Sequence, residues 1–371
     1  MHIYDTLGAR KFINAHDTYT IYGGSRLHPD TLSAMREAAE HFIDIHELQL
    51  LAGRRVAELT RNPDAYVTNG AAGGLLLAAA VLLSGGDRYT HAQLPDASRI
   101  TRNEIIVLRC QRNAYDGCIA ASGATIIDAG DAEKTTDWML DGAITERTAG
   151  IFYFASRNYE KASMPLNTLI EIAKRRGVPV VVDAAAQLPP RENLWRFTNT
   201  GAAMAIFSGG KTLCGPQASG LIVGAREYIE QCRMFGAPSH GVCRACKVSK
   251  EDMVGLVTAL ERYMTVDEKA EHAALSHVAD RFVAVFNATG LMEAFRVEHG
   301  PVGQAYPRAF GRLNAGRTED WAAAMKAVGI YIGTDAATNY IYVSPLNLTE
   351  READVVEEAL LKHAEVVKTI K

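Results

Sequence analysis

The sequence predicts an α/β protein with a mostly parallel sheet covered by helices, followed by a smaller α+β domain at the C-terminus. Two short apolar runs, VPVVV (178–182) and AMAIF (203–207), have the composition of strands that are buried on both faces. Helical patterns alternate with such runs, and this alternation favours parallel strands joined by helices. After about residue 249 the pattern changes to long amphipathic helices and then to short strands, which indicates the second domain.

Composition limits the classes of function. The chain has 371 residues, of which 48% are hydrophobic and 22% are charged, so it can bury a large core and is unlike a disordered chain. Its 39 basic and 43 acidic residues give a formal net charge of −4. We therefore expect no nucleic-acid partner, because no global positive charge would attract a phosphate backbone.

Hydropathy and cysteine content predict a cytoplasmic protein. The uncharged stretch 65–86 is continuously apolar only over 71–83. Since a membrane-spanning helix needs about 20 apolar residues, we expect a buried helix and no membrane contact. The N-terminus lacks the apolar segment of a secretory signal. The six cysteines include a lone C-x-x-C at 243–246, which has too few ligands for structural zinc, so we expect free thiols and no metal.

The predicted elements follow one another in a regular order. An N-terminal arm (1–28) precedes a large domain (29–265), and a small α+β domain (266–371) completes the chain. In the large domain, the patterns predict helices over 29–60, 71–84 and 166–177 and strands at 66–70, 87–91, 104–109, 124–130, 148–155, 178–187, 203–210 and 218–224. From residue 249 onwards they predict one or two helices over 249–290, which contain the domain boundary. Strands near 293–298, 309–314 and 329–343 follow, and then a final helix over 349–370 with the capping pair Thr349 and Glu352.

An acidic residue, Asp183, follows the apolar run 178–182 at the predicted carboxyl end of a strand. Ligands of open parallel sheets bind at this end of the strands. A carboxylate in this position loses its hydration, so it needs a cation or several hydrogen bonds to remain charged. A functional acid is one interpretation. The other is a helix N-cap for AAAQ (184–187), since aspartate is a favoured capping residue.

The next strand end carries a lysine, Lys211, within FSGGKT (207–212). Glycines let the backbone approach a ligand closely, and a partly buried lysine has a lowered pKa that suits Schiff-base chemistry. An ordinary surface lysine is the alternative. The GKT sequence also ends the phosphate-loop motif of nucleotide triphosphatases. We do not expect that function, because residue 205 is alanine and Gly215-Pro216 would interrupt the helix that must follow.

A third feature is the turn TNGAAGG (68–74), which enters the predicted apolar helix. The first backbone N–H groups of a helix, here those of Ala71, Ala72 and Gly73, can bind a phosphate. Close packing of small residues is the alternative interpretation.

Together the three features have the layout of a fold-type I pyridoxal-phosphate (PLP) enzyme. In this interpretation the helix N-terminus holds the cofactor phosphate, with a hydroxyl from Ser208. Asp183 pairs with the protonated pyridine nitrogen, and Lys211 forms the Schiff base with the cofactor.

Four stretches make a resemblance to a known family specific. The chain resembles the selenocysteine synthase-like branch of fold-type I PLP enzymes, and within it the D-glucosaminate-6-phosphate ammonia-lyases, in INA at 13–15, VPVVVDAAA at 178–186, FSGGKTLCGPQASGLIVG at 207–224 and RACKVSKEDMVGLVTALERYM at 244–264. The resemblance implies PLP as cofactor and the aspartate aminotransferase-like fold of PLP-dependent transferases. Because INA starts at residue 13, we expect no N-terminal tRNA-binding domain. The ammonia-lyases are expected to carry an acidic pair after DAAA, where this chain has QLPP (187–190).

The resemblance also implies further site residues, each with an ordinary alternative as a turn, loop or helix-face residue. Asn113 would lie against the cofactor ring, and Gln187 would reach the ring or the substrate. Candidate substrate contacts are Ser156, Asn158, Tyr22, Arg244 and Lys247. Of these, Tyr22 lies in the arm that commonly crosses into a neighbouring active site in this fold. The basic pair would bind an anionic group.

The resemblance implies a lyase that catalyses α,β-elimination on a small β-hydroxy amino acid or amino-sugar acid, such as D-glucosaminate 6-phosphate, and releases a 2-oxo acid and ammonia. A homodimer or larger homo-oligomer would place active sites at the subunit interface. Racemisation, transamination, aldol cleavage and selenocysteine synthase-like β-replacement begin with the same carbanion, so the sequence leaves them open. A non-catalytic binding protein is also open, although intact Asp183 and Lys211 favour an enzyme.

Overall fold

The computed structural model describes residues 3–300 and 302–370, which form two compact units. The large unit contains residues 25–265 and 302–303. The small unit contains residues 3–24, 266–300 and 304–370. Residues near the N-terminus thus share a unit with the C-terminal part of the chain, which the sequence analysis does not anticipate.

Strands and helices alternate along most of the described chain. The strands are β1 (Ile13–Ala15), β2 (Asp64–Thr68), β3 (Glu104–Leu108), β4 (Thr125–Ala129), β5 (Thr148–Phe154), β6 (Val180–Asp183), β7 (Met204–Ser208), β8 (Gly220–Gly224), β9 (Met292–Val297), β10 (Arg308–Leu313), β11 (Ile330–Asp335) and β12 (Tyr340–Val343). The α-helices are α1 (Ile3–Thr6), α2 (Pro29–Ala39), α3 (Ile45–Thr60), α4 (Gly70–Ser84), α5 (Arg88–Gln93), α6 (Asp116–Ala120), α7 (Asp137–Ala143), α8 (Leu166–Arg175), α9 (Asn193–Thr200), α10 (Arg226–Phe235), α11 (Lys250–Thr265), α12 (Glu268–Ala288), α13 (Thr318–Ala327) and α14 (Glu350–Ile370). Short 3₁₀ turns lie at Thr20–Tyr22, Arg109–Gln111, Arg157–Tyr159 and Val242–Cys246.

The large unit is built around a sheet with the strand order β2-β8-β7-β6-β5-β3-β4. Strands β3 to β7 run parallel to one another, whereas β8 lies between β2 and β7 and runs antiparallel to both. Helices α4 and α10 pack on one face of the sheet and α3, α8, α9 and α11 on the other. Along β6, Val181 faces the α4 side, while Val180 and Val182 face the opposite side. The prediction of a mostly parallel sheet covered by helices is confirmed.

The small unit has its own sheet, with the strand order β1-β11-β12-β10-β9. β1 is parallel to β11, and the other pairs are antiparallel. Its core lies between this sheet and α12, α13 and α14, and includes Phe282, Trp321 and Leu360. The short strands and the long helices predicted for this region are confirmed, with two separate helices, α11 and α12, over 249–290.

The predicted capping pair at the start of α14 is also confirmed. The backbone N–H of Thr349 donates to Oε2 of Glu352 at 3.0 Å, and the N–H of Glu352 donates to Oγ1 of Thr349 at 3.3 Å. Both groups would otherwise lack a partner inside the helix, so the pair stabilises its N-terminus.

One predicted strand is wrong. Residues 87–91 lead into helix α5, because the carboxylate of Asp87 caps the helix by accepting the N–H of Thr90 at 2.6 Å. Five residues are too few to separate a strand pattern from a helical one when a capping aspartate precedes them. The apolar helix predicted over 71–84 is α4 and is buried along most of its length. None of the described helices combines the length and apolarity needed to cross a membrane.

A buried ion pair joins the segment after β1 to the start of β10 within the small unit. Arg308 is 0% exposed, and its Nη2 lies 2.8 Å from Oδ2 of Asp17. The hydroxyl of Tyr306 donates to Oδ1 of Asp17 at 2.6 Å, and the Arg308 guanidinium lies 3.9 Å from the centroid of the Tyr306 ring. Burial alone would raise the pKa of Asp17, but Arg308 and Tyr306 outweigh that effect and hold the pKa below its ordinary value.

We predict that Asp17→Asn lowers the free energy of unfolding by about 3–5 kcal/mol, because Arg308 is then left buried without its counter-charge. Urea unfolding at pH 7 measures the loss. Since the pKa of Asp17 is lowered by folding, the difference from the unsubstituted protein should persist below about pH 3.9, the ordinary aspartate value, and vanish only at still lower pH.

Glu319→Gln is the matched control for this substitution. Glu319 pairs with Arg317 at 3.5 Å on the surface, where an ion pair contributes about 0–1 kcal/mol. Equal urea midpoints for the two variants would show that the buried pair does not stabilise the small unit.

Candidate active site

The carboxyl ends of parallel strands bring two predicted site residues to one edge of the large sheet. Asp183 is the last residue of β6, and Lys211 follows Ser208, the last residue of β7. In the register of the sheet, Asp183 lies opposite Ile206 of β7. The charge of Lys211 acts on the pKa of the Asp183 carboxyl, so the two side chains are close in space.

Asp183 is a buried carboxyl with few partners of its own. Burial raises its pKa above the ordinary range, although the N–H of Ala185, which donates to Oδ1 at 2.9 Å, and the charge of Lys211 favour the ionised form. The helix N-cap interpretation is wrong, because residues 184–187 form a turn closed by a hydrogen bond from the N–H of Gln187 to the carbonyl of Ala184 at 3.0 Å. A bound cation would stabilise the ionised form of this carboxyl.

The first turn of α4 forms an uncapped helix N-terminus. Its N-cap residue, Asn69, makes no side-chain capping bond, so the first N–H groups of the helix remain available to an anion. A Cβ at Gly73 would lie 1.8 Å from Oδ1 of Asn69, so a larger residue there would displace the Asn69 side chain. That Oδ1 atom is buried and has no hydrogen-bond partner among the described residues. The N–H groups at the start of α4 can therefore bind an anion. Phosphate binding at Ala71, Ala72 and Gly73 stays a prediction.

A glycine that the sequence analysis missed brings Ser208 to this turn. Gly220, the first residue of β8, lies opposite Thr68 of β2 on one side and opposite Ser208 of β7 on the other. A Cβ on Gly220 would lie 2.6 Å from the carbonyl carbon of Gly70 and 2.9 Å from the nitrogen of Ala71. The antiparallel insertion of β8 thus places the start of α4 and Ser208 on either side of one glycine. The glycine within ASGLIVG was the available signal.

Asn113 follows β3, but its side chain forms hydrogen bonds with the backbone of its own turn. Its Oδ1 accepts the N–H of Tyr115 at 2.8 Å, and its Nδ2 donates to the carbonyl of Gln111 at 2.9 Å, as in the turn alternative. A side chain that the sequence analysis missed lies nearby. Burial raises the pKa of the Tyr159 hydroxyl, Asp116 and Asp183 raise it as well, and a hydrogen bond with Asn113 lowers it. Tyr159 is thus close to Asp183.

Two other predicted residues face a different part of the molecule. Ser156 and Gln187 line a cavity beside α8 and α9. Gln187 also donates through Nε2 to the carbonyl of Val302 at 2.9 Å, and Oγ of Ser156 accepts the N–H of Asn158 at 3.3 Å. Asn158 itself is exposed. The helix-face alternative for Gln187 is wrong, because residues 184–187 form no helix, and its contact with the ring or the substrate stays a prediction.

Arg244 and Lys247 are exposed side chains at the end of the 3₁₀ turn that packs against α4. Cys246, between them, has its Cβ 3.6 Å from the position that a Cβ on Gly73 would occupy. Two positive charges therefore flank the residue that contacts the first turn of α4. Tyr22 belongs to the small unit, where its ring packs against those of Phe12, His16 and Tyr331.

This donor set fits PLP. A phosphate can bind the free N–H groups at the start of α4, and the protonated ring nitrogen can pair with the buried carboxyl of Asp183. The amine of Lys211, at the same sheet edge, can react with the cofactor carbonyl. These three groups all belong to the large unit.

Comparisons with known proteins agree with this geometry. The model of the SelA family, L-seryl-tRNA selenium transferase, matches residues 51–287. The D-glucosaminate-6-phosphate ammonia lyase of Salmonella typhimurium is 34% identical over 318 residues, which cover 84% of this chain and 82% of that protein.

Solved structures show the same fold. A structure of D-glucosaminate-6-phosphate ammonia-lyase superposes with a TM-score of 0.85 and 30% identity, covering 98% of both chains. A serine palmitoyltransferase variant from S. paucimobilis with bound PLP has a TM-score of 0.61 at 15% identity and covers 96% of this chain and 88% of that one, which shows a shared fold.

Fold and site together define a PLP-dependent lyase with the aspartate aminotransferase-like fold. The chain belongs to the SelA family, the selenocysteine synthase-like branch of these enzymes, and PLP is its cofactor.

We predict that Gly220→Ala weakens PLP binding at least about tenfold. The added methyl group must displace the backbone at Gly70 and Ala71, and losing one hydrogen bond to a charged group costs about 1.5–3 kcal/mol. Titration of the apoprotein with PLP, followed by absorbance, measures the change. Gly117→Ala is the control, because a Cβ there has no neighbour within 4 Å. Equal affinities in both variants would exclude this turn as the phosphate site.

Proposed function

We propose that this enzyme catalyses α,β-elimination on a small β-hydroxy amino acid or amino-sugar acid and releases a 2-oxo acid and ammonia. The observation that carries the proposal is the buried Asp183 carboxyl beside Lys211, at the edge of the sheet where parallel-sheet enzymes bind their ligands. Similarity to an ammonia lyase along most of the chain supports elimination over the other reactions of this cofactor. D-glucosaminate 6-phosphate is the first substrate to test.

The side chains have distinct parts in this reaction. When bound, PLP supplies an electron sink for the negative charge that develops at the α-carbon of the substrate. Asp183 would keep the ring nitrogen protonated, because a cation beside the buried carboxyl favours its ionised form. Lys211 would hold the cofactor, and its neutral Nζ would accept the α-proton of the substrate. The β-hydroxyl leaves with a proton as water, and water then replaces the amino group, which leaves as ammonia.

The N–H groups at the start of α4, with the hydroxyl of Ser208, would hold the cofactor phosphate. Arg244 and Lys247 would bind the anionic end of the substrate, since both are exposed near the first turn of α4. Tyr159 is a further candidate, because it lies close to Asp183. Asn113, Ser156, Asn158, Gln187 and Tyr22 stay predictions for contacts with cofactor or substrate.

We also propose that the protein is a cytoplasmic homodimer or larger homo-oligomer. No disulfide joins any of the six cysteines, all of which lie within the described chain, as in proteins of reducing compartments. Apolar side chains such as Phe42, Ile21 and Trp138 are highly exposed in the single chain, which supports association.

We predict that Lys211→Ala has no measurable turnover and does not hold PLP covalently. Borohydride should remove the visible absorbance of the unsubstituted holoprotein and leave a pyridoxyl group on the peptide that contains Lys211, as mass spectrometry would show. Lys174→Ala, which changes an exposed lysine of α8, should behave like the unsubstituted protein. A pyridoxyl group on a different lysine would overturn the role of Lys211.

We predict that the enzyme converts D-glucosaminate 6-phosphate to a 2-oxo acid and ammonia, and that the double variant Arg244→Gln, Lys247→Gln raises KM at least about tenfold with little change in kcat. Each charged hydrogen bond to the phosphate or carboxylate would contribute about 1.5–3 kcal/mol to binding.

Coupled assays of ammonia and keto-acid release measure both constants. Arg226→Gln, which removes an exposed charge on α10, is the matched control. Absence of ammonia release from amino acids and amino-sugar acids would exclude elimination. An unchanged KM in the double variant would exclude only the binding of the substrate by Arg244 and Lys247.

A further inference from the structure

A cavity of about 280 Å³ lies beside the carboxyl ends of β5 and β6, within the large unit. Tyr153 and Ala155 form its sheet wall, and they pack with the core on the face covered by α8 and α9. Side chains of a strand alternate between faces, and Phe154, between these two residues, packs with α4 on the opposite face. The cavity is therefore on the side of the sheet away from the first turn of α4.

Two opposite charges lie at this cavity. Glu160 and Arg196 both line it, and no ion pair within 4.0 Å joins them in the part of the chain that the structure describes. Burial, Cys110 and Glu160 together raise the pKa of Tyr153 to about 12, whereas Gln111 and Arg196 act in the opposite direction. Both charges thus lie close to one phenol hydroxyl in the cavity wall, where each remains available to a ligand of the opposite sign.

Neutral polar groups complete the lining. Asn167 and Thr200 contribute side chains that can bond hydroxyl groups. Leu166 and Asn167 belong to the first turn of α8, whose N-cap residue is Pro165 and which has no side-chain cap within the described chain. Free backbone N–H groups there favour an anion, as the guanidinium of Arg196 does. The cavity volume lies just below the range of ligand sites, about 300–1,000 Å³, so the cavity suits only a small ligand.

We infer that this cavity is a second binding site, for a small zwitterion that carries one carboxylate, one ammonium group and hydroxyls. The carboxylate would bind Arg196, the ammonium group would bind Glu160, and the hydroxyls would bond the neutral side chains. Amino acids and amino-sugar acids have this chemistry. The inference stands on the cavity itself, and only the choice of an amino-sugar acid as probe rests on the proposed function.

The test is calorimetric titration of the borohydride-reduced holoprotein with D-glucosaminate, in which the covalently fixed cofactor prevents reaction at the catalytic lysine. We expect saturable binding of one molecule per chain. Gluconate, which lacks the ammonium group, and glucosamine, which lacks the carboxylate, should each bind at least about tenfold more weakly, because each loses one charged pair.

Charge-matched variants locate the site. Arg196→Gln and Glu160→Gln should each weaken D-glucosaminate binding at least about tenfold, whereas Arg175→Gln and Glu171→Gln, exposed positions on α8 outside the cavity, should leave it unchanged. Thr200→Trp, which fills the cavity from the exposed end of α9, should also abolish binding. This variant tests the inference if a charge variant does not fold.

Absence of binding, equal affinity for gluconate, or unaltered binding in Arg196→Gln and Glu160→Gln would overturn the inference. A protein that retains no PLP would overturn the proposed function and leave this inference standing. The same titration can then be made on the apoprotein to test the second site.

Discussion

Burial of one carboxyl, that of Asp183 at the end of β6, constrains the chemistry of the large unit. Its desolvation disfavours the ionised form, and neither the N–H of Ala185 nor the charge of Lys211 offsets that effect. A cation placed against the carboxyl favours its ionised form. In the proposed site a protonated pyridine ring is such a cation, so the acid and the cofactor would stabilise each other's charged forms. This mutual dependence explains why an apolar strand ends in an acid.

Sheet topology supplies the rest of the cofactor site. β2 and β7 do not pair with each other directly, and β8 lies between them. Without β8, no strand pairing would fix the position of the start of α4 relative to Ser208. The antiparallel strand between them sets both through hydrogen-bonded register, and Gly220 allows the backbone at Gly70 to approach without a clash. The proposed anion site, made of one helix end and one hydroxyl, would therefore depend on Gly220, which itself offers the ligand no side chain.

The features that the sequence predicted correctly have local chemical signals. A Val/Ile run indicates a buried strand, an acid or a lysine after such a run indicates a strand end, and the run of small residues after Asn69 indicates a tightly packed helix start. The features it missed depend on residues distant in the chain. β1 joins the small sheet by pairing with β11, and Tyr159 reaches Asp183 only through the fold. Two local interpretations failed because hydrogen bonds outweighed pattern: Asp87 caps a helix where a strand was expected, and residues 184–187 close into a turn.

Strand β5 shows how one short element can serve two sites. Because side chains alternate, Phe154 packs beneath α4 while Tyr153 and Ala155 form the wall of the cavity beside α8 and α9. The two faces are joined by the backbone, since the N–H of Ala155 donates to the carbonyl of Asp183 at 2.9 Å. A shift of β5 by one residue would exchange the faces of all its side chains and break this hydrogen bond. The same register of β5 therefore maintains the cavity wall and fixes the end of β6, where Asp183 lies.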